Sequence, residues 1–220
     1  MRRLGVMKSL ADARLYGILD LGYVSPERAI SVAEEMLAGG VDVIQLRAKG
    51  HEETAVEALA SELSGMTASA GVPLIINDHP QLVPSVGAQG AHVGQDDFSV
   101  EDARWRAGRA LSGEVPLPVI GKSTHSMAQA IAAQEEGADY IGFGPLFPTP
   151  TKAGRPAIGL ADIRAVHERV NIPIFCIGGI KLENLDEVIA AGARRVVIVS
   201  GILQAPSIVG YCREVRARLG

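Results

Sequence analysis

The sequence predicts one α/β domain, a closed (β/α)8 or TIM barrel spanning residues 1–220, and three observations carry that expectation. Eight short apolar runs recur along the chain, each followed by a segment with helical spacing. The length of 220 residues fits one α/β barrel, or at most two small domains. Close to half of the residues (47%) are hydrophobic but only 4% are aromatic, so Ile, Val, Leu and Ala must build the core, as they do between barrel strands and their helices.

The runs lie at 16–19, 43–46, 74–76, 91–93, 119–120, 140–143, 174–177 and 196–199. Short, continuous and apolar, they read as strands buried on both faces. Residues 1–14 precede the first run and read as an N-terminal extension. After the first strand, Ser25-Pro26-Glu27 combines an N-cap, a proline at the first helical position and an acid in the first turn. The stripe Ala29, Val32, Ala33, Met36 follows and ends at Gly39-Gly40. Met127, Ala130, Ile131 and Gln134 keep helical spacing before Gly137, and Leu182, Leu185, Val188 and Ile189 do so before Gly192. A basic amphipathic helix is expected over 206–219. The fourth helix is the least marked and runs into a turn-rich insert at 112–118. An open doubly wound sheet would usually carry a glycine-rich fingerprint after its first strand, and Asp20-Leu21-Gly22-Tyr23 is not one.

The net charge of -4 argues against non-specific nucleic-acid binding. Cys176 and Cys212 show neither metal spacing nor a disulfide framework. No apolar h-region follows Arg2 and Arg3, and no run approaches the length of a membrane span. A reducing cytoplasmic setting, without nucleic acid or membrane as partner, is the expectation; a homo-oligomer is compatible with it.

A barrel of this kind keeps its active site at the C-terminal ends of the strands, so the residues after each run matter most. Strand two ends in Gln45-Leu46-Arg47-Ala48-Lys49, where alternate residues share a face and two cations suit a phosphate or pyrophosphate; a solvated loop is the plainer alternative. Strand three ends in Asn77-Asp78, and strand four in Gly94-Gln95-Asp96-Asp97. Asp78 and a carboxylate of the Asp96-Asp97 pair could meet across the mouth and hold Mg²⁺ with the help of substrate phosphates; otherwise Asp96 and Asp97 cap the next helix. After strand five, Gly121-Lys122-Ser123-Thr124-His125-Ser126 offers a cation and hydroxyls, with His125 either an acid/base or a helix-start residue. The longest irregular stretch, 144–159, carries Thr149, Thr151, Lys152 and Arg155. Gly178-Gly179 and Ser200-Gly201 follow strands seven and eight, where barrels often bind phosphate through backbone amides.

In this order and at these strand ends, the motifs resemble the thiamine phosphate synthase family. The likeness runs from Tyr16-Gly17-Ile18 to Ser200-Gly201. It rests on Gln45-Leu46-Arg47-Ala48-Lys49, Ile76-Asn77-Asp78, His92-Val93-Gly94-Gln95-Asp96-Asp97, Ser123-Thr124-His125-Ser126, Gly142-Phe143-Gly144-Pro145, Phe147-Pro148-Thr149-Pro150-Thr151-Lys152 and Ile177-Gly178-Gly179-Ile180. The resemblance implies an Mg²⁺-dependent transferase that joins a pyrimidine pyrophosphate to a thiazole phosphate through a carbocation-like species. It implies that Gln45, Leu46, Arg47, Ala48, Lys49 and Asn77 bind the pyrimidine pyrophosphate, together with Ser123 and Lys152. It makes Asp78 and Asp97 the metal ligands, and Arg47, Lys49, Ser123 and Lys152 the groups closest to catalysis. Thr149, Pro150, Thr151, Gly179, Val199 and Ser200 would hold the thiazole phosphate.

Three features depart from the family pattern: Lys122 stands where an apolar residue is commoner, the 110–118 segment is longer, and Val197 replaces a Ser found in some members. Two other readings remain open. A thiazole tautomerase on the same fold would share the Ser-x-His-Ser element but tend to lose the cations and carboxylates of strands two to four. A non-catalytic phosphate-ligand sensor would need a partner surface or output domain.

Overall fold

The computed structural model describes residues 7–108, 117–149 and 156–220. The apolar runs form β1 (Leu15–Asp20), β2 (Val43–Arg47), β3 (Leu74–Asn77), β4 (Gly90–Val93), β5 (Val119–Thr124), β6 (Tyr140–Phe143), β7 (Ile174–Cys176) and β8 (Val196–Ile198). Neighbours in sequence pair in parallel, and β8 pairs with β1 to close the barrel. All C-terminal strand ends therefore share one rim.

Strand alternation sorts the side chains into two cores. Leu15, Leu19, Ile44, Leu46, Ile76, Ile120, Phe143 and Cys176 point outward and pack under the helices. Tyr16, Ile18, Val43, Ile75, Tyr140, Phe175 and Val197 point inward and fill the barrel. Three of the few aromatic rings are thus gathered on the axis. Phe175 meets Tyr16 and Tyr140 edge-on, with ring centroids 5.3 and 5.6 Å away. Gly121 makes room for them: a Cβ there would stand 2.1 Å from Tyr140 Cζ.

The helices follow the strands as α1 (Pro26–Ala38), α2 (Glu53–Ala70), α3 (Val83–Val86), α4 (Val100–Arg106), α5 (Met127–Glu135), α6 (Ile163–Arg169), α7 (Leu182–Ala190), α8 (Ser200–Leu203) and α9 (Ile208–Leu219). α1 buries the stripe read from the sequence: Ala29, Val32, Ala33 and Met36. The third crossover is reduced to a 3-10 turn (Pro80–Leu82) and the four-residue α3. No described helix is long and apolar enough to cross a membrane.

Several expectations need correction. β5 does not stop at Ile120 but continues through Thr124, with Lys122, Ser123 and Thr124 all buried. The polar run stays in the sheet because its side chains find partners: Lys122 Nζ donates to Phe98 O (2.7 Å), and Thr124 Oγ1 donates to Gly142 O (2.9 Å). α4 is capped by Ser99, whose Oγ accepts from Asp102 N (3.0 Å), so Asp96 and Asp97 are not its cap. The last helix begins at Ile208, capped by Ser207, and the short α8 intervenes.

Residues 7–14 pack across the N-terminal end of the barrel: Ala13 is buried and Leu10 lies against the inner core. Buried Asp42, just before β2, fastens this end. Its carboxylate accepts from Lys8 Nζ (2.8 Å), from the backbone N–H groups of Arg14 (2.9 Å) and Leu15 (3.0 Å), and from Arg216 of α9. Burial works to raise the Asp42 pKa, but hydrogen bonds from Lys8, Arg14 and Leu15 outweigh it, and the pKa is lowered. The two cysteines, Cys176 in β7 and Cys212 in α9, are both buried and unbridged, and burial pushes each thiol up to about 12.

Candidate active site

The mouth of the barrel opens into a pocket that is partly exposed to solvent. Every strand or strand end contributes to its lining: Ile18, Gln45 with Arg47, Asn77, His92, Ser123, Gly142, Ile177 and Val197 in order around the ring.

On the β1–β4 side the charges are held in place. Arg47 Nη1 donates to Asp20 Oδ2 (2.7 Å), and these two residues are register partners on β2 and β1. Asp20 is only 2% exposed, and its other oxygen accepts from Gly22 N (2.9 Å). A buried carboxylate thus fixes a guanidinium that reaches the cavity. Lys49 Nζ lies 3.2 Å from Asp78 Oδ2. Asp78 follows the last residue of β3 and has φ 61°, a left-handed conformation that non-glycine residues seldom adopt. Asp97, in the loop after β4, accepts from Gly94 N (2.8 Å) through Oδ2. Among the described residues no three His, Cys, Asp or Glu side chains surround a common point. Asp78 and Asp97 stand in the loops that follow the adjacent strands β3 and β4, and carboxylate oxygens are the ligand type that a hard divalent cation takes.

Across the middle of the barrel runs a chain of polar side chains. Gln45 Nε2 donates to Tyr16 Oη (2.8 Å); the Tyr16 and Tyr140 hydroxyls are 3.0 Å apart. Tyr140 Oη lies 3.1 Å from His92 Nδ1, and His92 Nε2 lies 2.9 Å from Ser123 Oγ. Gln95 Nε2 donates to the Ser123 carbonyl (2.6 Å), which anchors the strand end itself.

On the β6–β8 side the lining is mostly backbone and small side chains. Thr149, Gly178, Gly179, Val199 and Ser200 border the cavity. Gly179 has φ 67°, and a Cβ there would stand 2.7 Å from Phe147 Cβ, so close packing and backbone conformation both call for glycine. The turn is tied by Phe147 N donating to Gly178 O (3.0 Å) and Asn184 Nδ2 donating to Gly179 O (3.0 Å). His125 also reaches the cavity, with Nδ1 donating to Gly144 O (2.5 Å).

Of the residues singled out in the sequence, Gln45, Arg47, Asn77, Ser123, Thr149, Gly179, Val199 and Ser200 meet on one cavity. Lys49, Asp78 and Asp97 are not in its lining and belong to the loops beyond the strand ends. Pro150, Thr151, Lys152 and Arg155 lie outside the described residues. The side chains of Leu46 and Ala48 are buried in the outer core against the helices, because alternation turns them away from their neighbours Gln45 and Arg47, so only their backbone can face the site. Lys122 likewise points outward, so its charge is not part of the site. Sequence reasoning assigned no role to Asp20, Tyr16, Tyr140 or His92. Strand alternation counted back from Arg47 and Ser123 would have placed an inward residue at each register position.

Comparison with known proteins agrees with this fold. Residues 15–202 match the family model described as thiamine monophosphate synthase. The thiamine-phosphate synthase of Thermus thermophilus is 45% identical over 196 residues, covering 89% of this chain and 91% of the relative. That of Shouchella clausii is 41% identical, covering 89% and 90%. The solved thiamine phosphate pyrophosphorylase from Pyrococcus furiosus superposes with a TM-score of 0.81 at 29% identity, covering 94% of this chain and 95% of that one. A 3-hexulose-6-phosphate synthase, at 16% identity and a TM-score of 0.67, shares the fold.

Proposed function

The chain belongs to the thiamine monophosphate synthase family, a family of transferases in thiamine biosynthesis, and from that premise we propose that it joins a pyrimidine pyrophosphate to a thiazole phosphate, releasing pyrophosphate. One observation supports this reading above others: the pocket has the Asp20-held Arg47 guanidinium and the amides of Gln45 and Asn77 on one side and a glycine-rich backbone wall on the other. In this reading the two anionic substrates would lie end to end across it, with their reacting atoms between.

In this reading Arg47 and Lys49, with Asn77 and Lys152, receive the pyrophosphate of the first substrate. Arg47 arrives already oriented by Asp20, so little reorganisation accompanies charge development on the leaving group. Asp78 and Asp97 would hold Mg²⁺, which supplies further positive charge to the departing pyrophosphate. Two carboxylates are too few for a dedicated cage, and Asp78 already has Lys49 beside it, so cation affinity should develop only with pyrophosphate. The backbone at Gly179 and Ser200, with Thr149 through Thr151, receives the thiazole phosphate, as barrels commonly do after strands seven and eight.

The bond from the pyrimidine methylene carbon to pyrophosphate breaks, and the thiazole nitrogen donates its electron pair to the carbocation-like carbon. No enzyme nucleophile is required. The chain's own work is to position both reactants, stabilise the leaving group and exclude water that would otherwise trap the cation.

Mixing the purified protein with both substrates and Mg²⁺ tests the proposal. Coupled product and pyrophosphate should appear in equal amounts and cease in EDTA. Isomerisation of the thiazole without coupling would replace this reading with the tautomerase, and binding without turnover would replace it with the sensor.

A further inference from the structure

A His ring nitrogen 2.9 Å from a Ser hydroxyl inside a cavity has the spacing of a base beside a nucleophile. Whether His92 can serve Ser123 as a base depends on which nitrogen carries its proton, and the polar chain behind it decides that. The Gln45 amide nitrogen can only donate, so Tyr16 Oη accepts from it. Tyr16 then directs its own hydrogen at Tyr140 Oη. Tyr140, accepting from Tyr16, directs its hydrogen at His92 Nδ1. A neutral imidazole that accepts at Nδ1 carries its hydrogen on Nε2 and donates it to Ser123 Oγ.

We propose that the Gln45–Tyr16–Tyr140 chain sets His92 as the neutral Nε2–H tautomer, making it a positioning donor to Ser123 and preventing it from acting as a base toward that hydroxyl.

Each link has physical support. Gln45, Tyr16 and Tyr140 are all nearly solvent-free, so water does not compete for the hydrogen bonds. Burial raises both phenol pKa values well above their usual range, so each keeps the single hydrogen that the chain requires. The rings are also locked sterically: Phe175 stands edge-on to both tyrosines, and Gly121 lets Tyr140 approach the strand. Gln45 borders the cavity at one end of the chain and Ser123 at the other, so the two sides of the pocket are joined through the barrel interior. The consequence is a Ser123 that takes part as a neutral hydrogen-bonding hydroxyl. The relevance to turnover rests on the coupling reaction proposed above; the tautomer does not.

The test is nitrogen NMR of the full-length protein labelled with ¹⁵N-histidine, with the His92 signals assigned by His92→Gln. In the unsubstituted protein the hydrogen should reside on Nε2 and Nδ1 should be bare. Tyr140→Phe disconnects the ring from the chain, and both tautomers should then appear. Tyr16→Phe cuts the chain one link earlier and serves if Tyr140→Phe does not fold; it too should give a mixture. Diisopropyl fluorophosphate, which modifies activated serines, should leave Ser123 unlabelled in the unsubstituted protein. An Nδ1–H tautomer in that protein, labelling of Ser123, or one unaltered Nε2–H tautomer in either folded Phe variant would overturn the proposal. None of these readouts uses the substrates, so they separate its failure from failure of the assigned reaction.

Discussion

Asp78 carries both an unfavourable backbone conformation and a proposed ligand role, and its substitutions should separate the two. At φ 61° a non-glycine residue is strained by about 1 kcal/mol or more. Asp78→Gly relieves that strain while removing the carboxylate, so it should melt no lower than the unsubstituted protein and yet have no coupling activity; calorimetry beside the two-substrate assay checks this. Asp97→Ala should also abolish coupling. His125→Ala should retain measurable turnover, because ionisation and capture require no proton transfer at that position. General acid–base steps usually contribute roughly 10²–10⁴-fold, and a loss of that size in His125→Ala with unchanged substrate binding would favour the tautomerase. The place of Arg47 at the cavity was legible from sequence because its chemistry is plain and it follows an apolar run. His92 and Tyr140 were not, since their meaning depends on a hydrogen bond between side chains 48 residues apart. Nothing local in the sequence records that contact.

At the scale of elements, the turn after β7 makes a separable prediction. Gly179→Ala places a Cβ 2.7 Å from Phe147 Cβ at φ 67°, so the loop must shift. Thiazole phosphate should bind more weakly while pyrimidine pyrophosphate binds as before; calorimetric titration with each substrate checks this. The strands were legible because both their faces are buried, which leaves continuous apolar runs. β5 was truncated in the reading because hydrophobicity ends at Ile120 while the backbone ladder does not: Gly121 through Thr124 still pair with Tyr140 through Phe143. Periodicity also turned Leu46 and Ala48 outward, which a motif read as a continuous string concealed.

For the molecule as a whole, Asp42 joins the start of β1, the entry to β2 and the last helix. Replacing it with Ala leaves Lys8 and Arg216 without their shared partner and two backbone donors unsatisfied, at a cost of about 3 kcal/mol. Thermal melts should show the loss while the cavity's substrate contacts persist. Because the folded-state pKa of Asp42 is lowered, its contribution is fully present above the unfolded carboxylate pKa. It is lost as pH falls through the folded value, so the gap between unsubstituted and Asp42→Ala melting temperatures should narrow in acid. The buried thiols offer a different view of the same architecture. Cys176 belongs to the barrel wall and Cys212 to its outer jacket, and neither reacts until its surroundings part. An alkylating reagent thus becomes a stopwatch with two hands: equal labelling rates mean that wall and jacket come apart in one event, and faster labelling of Cys212 means that the jacket peels away first.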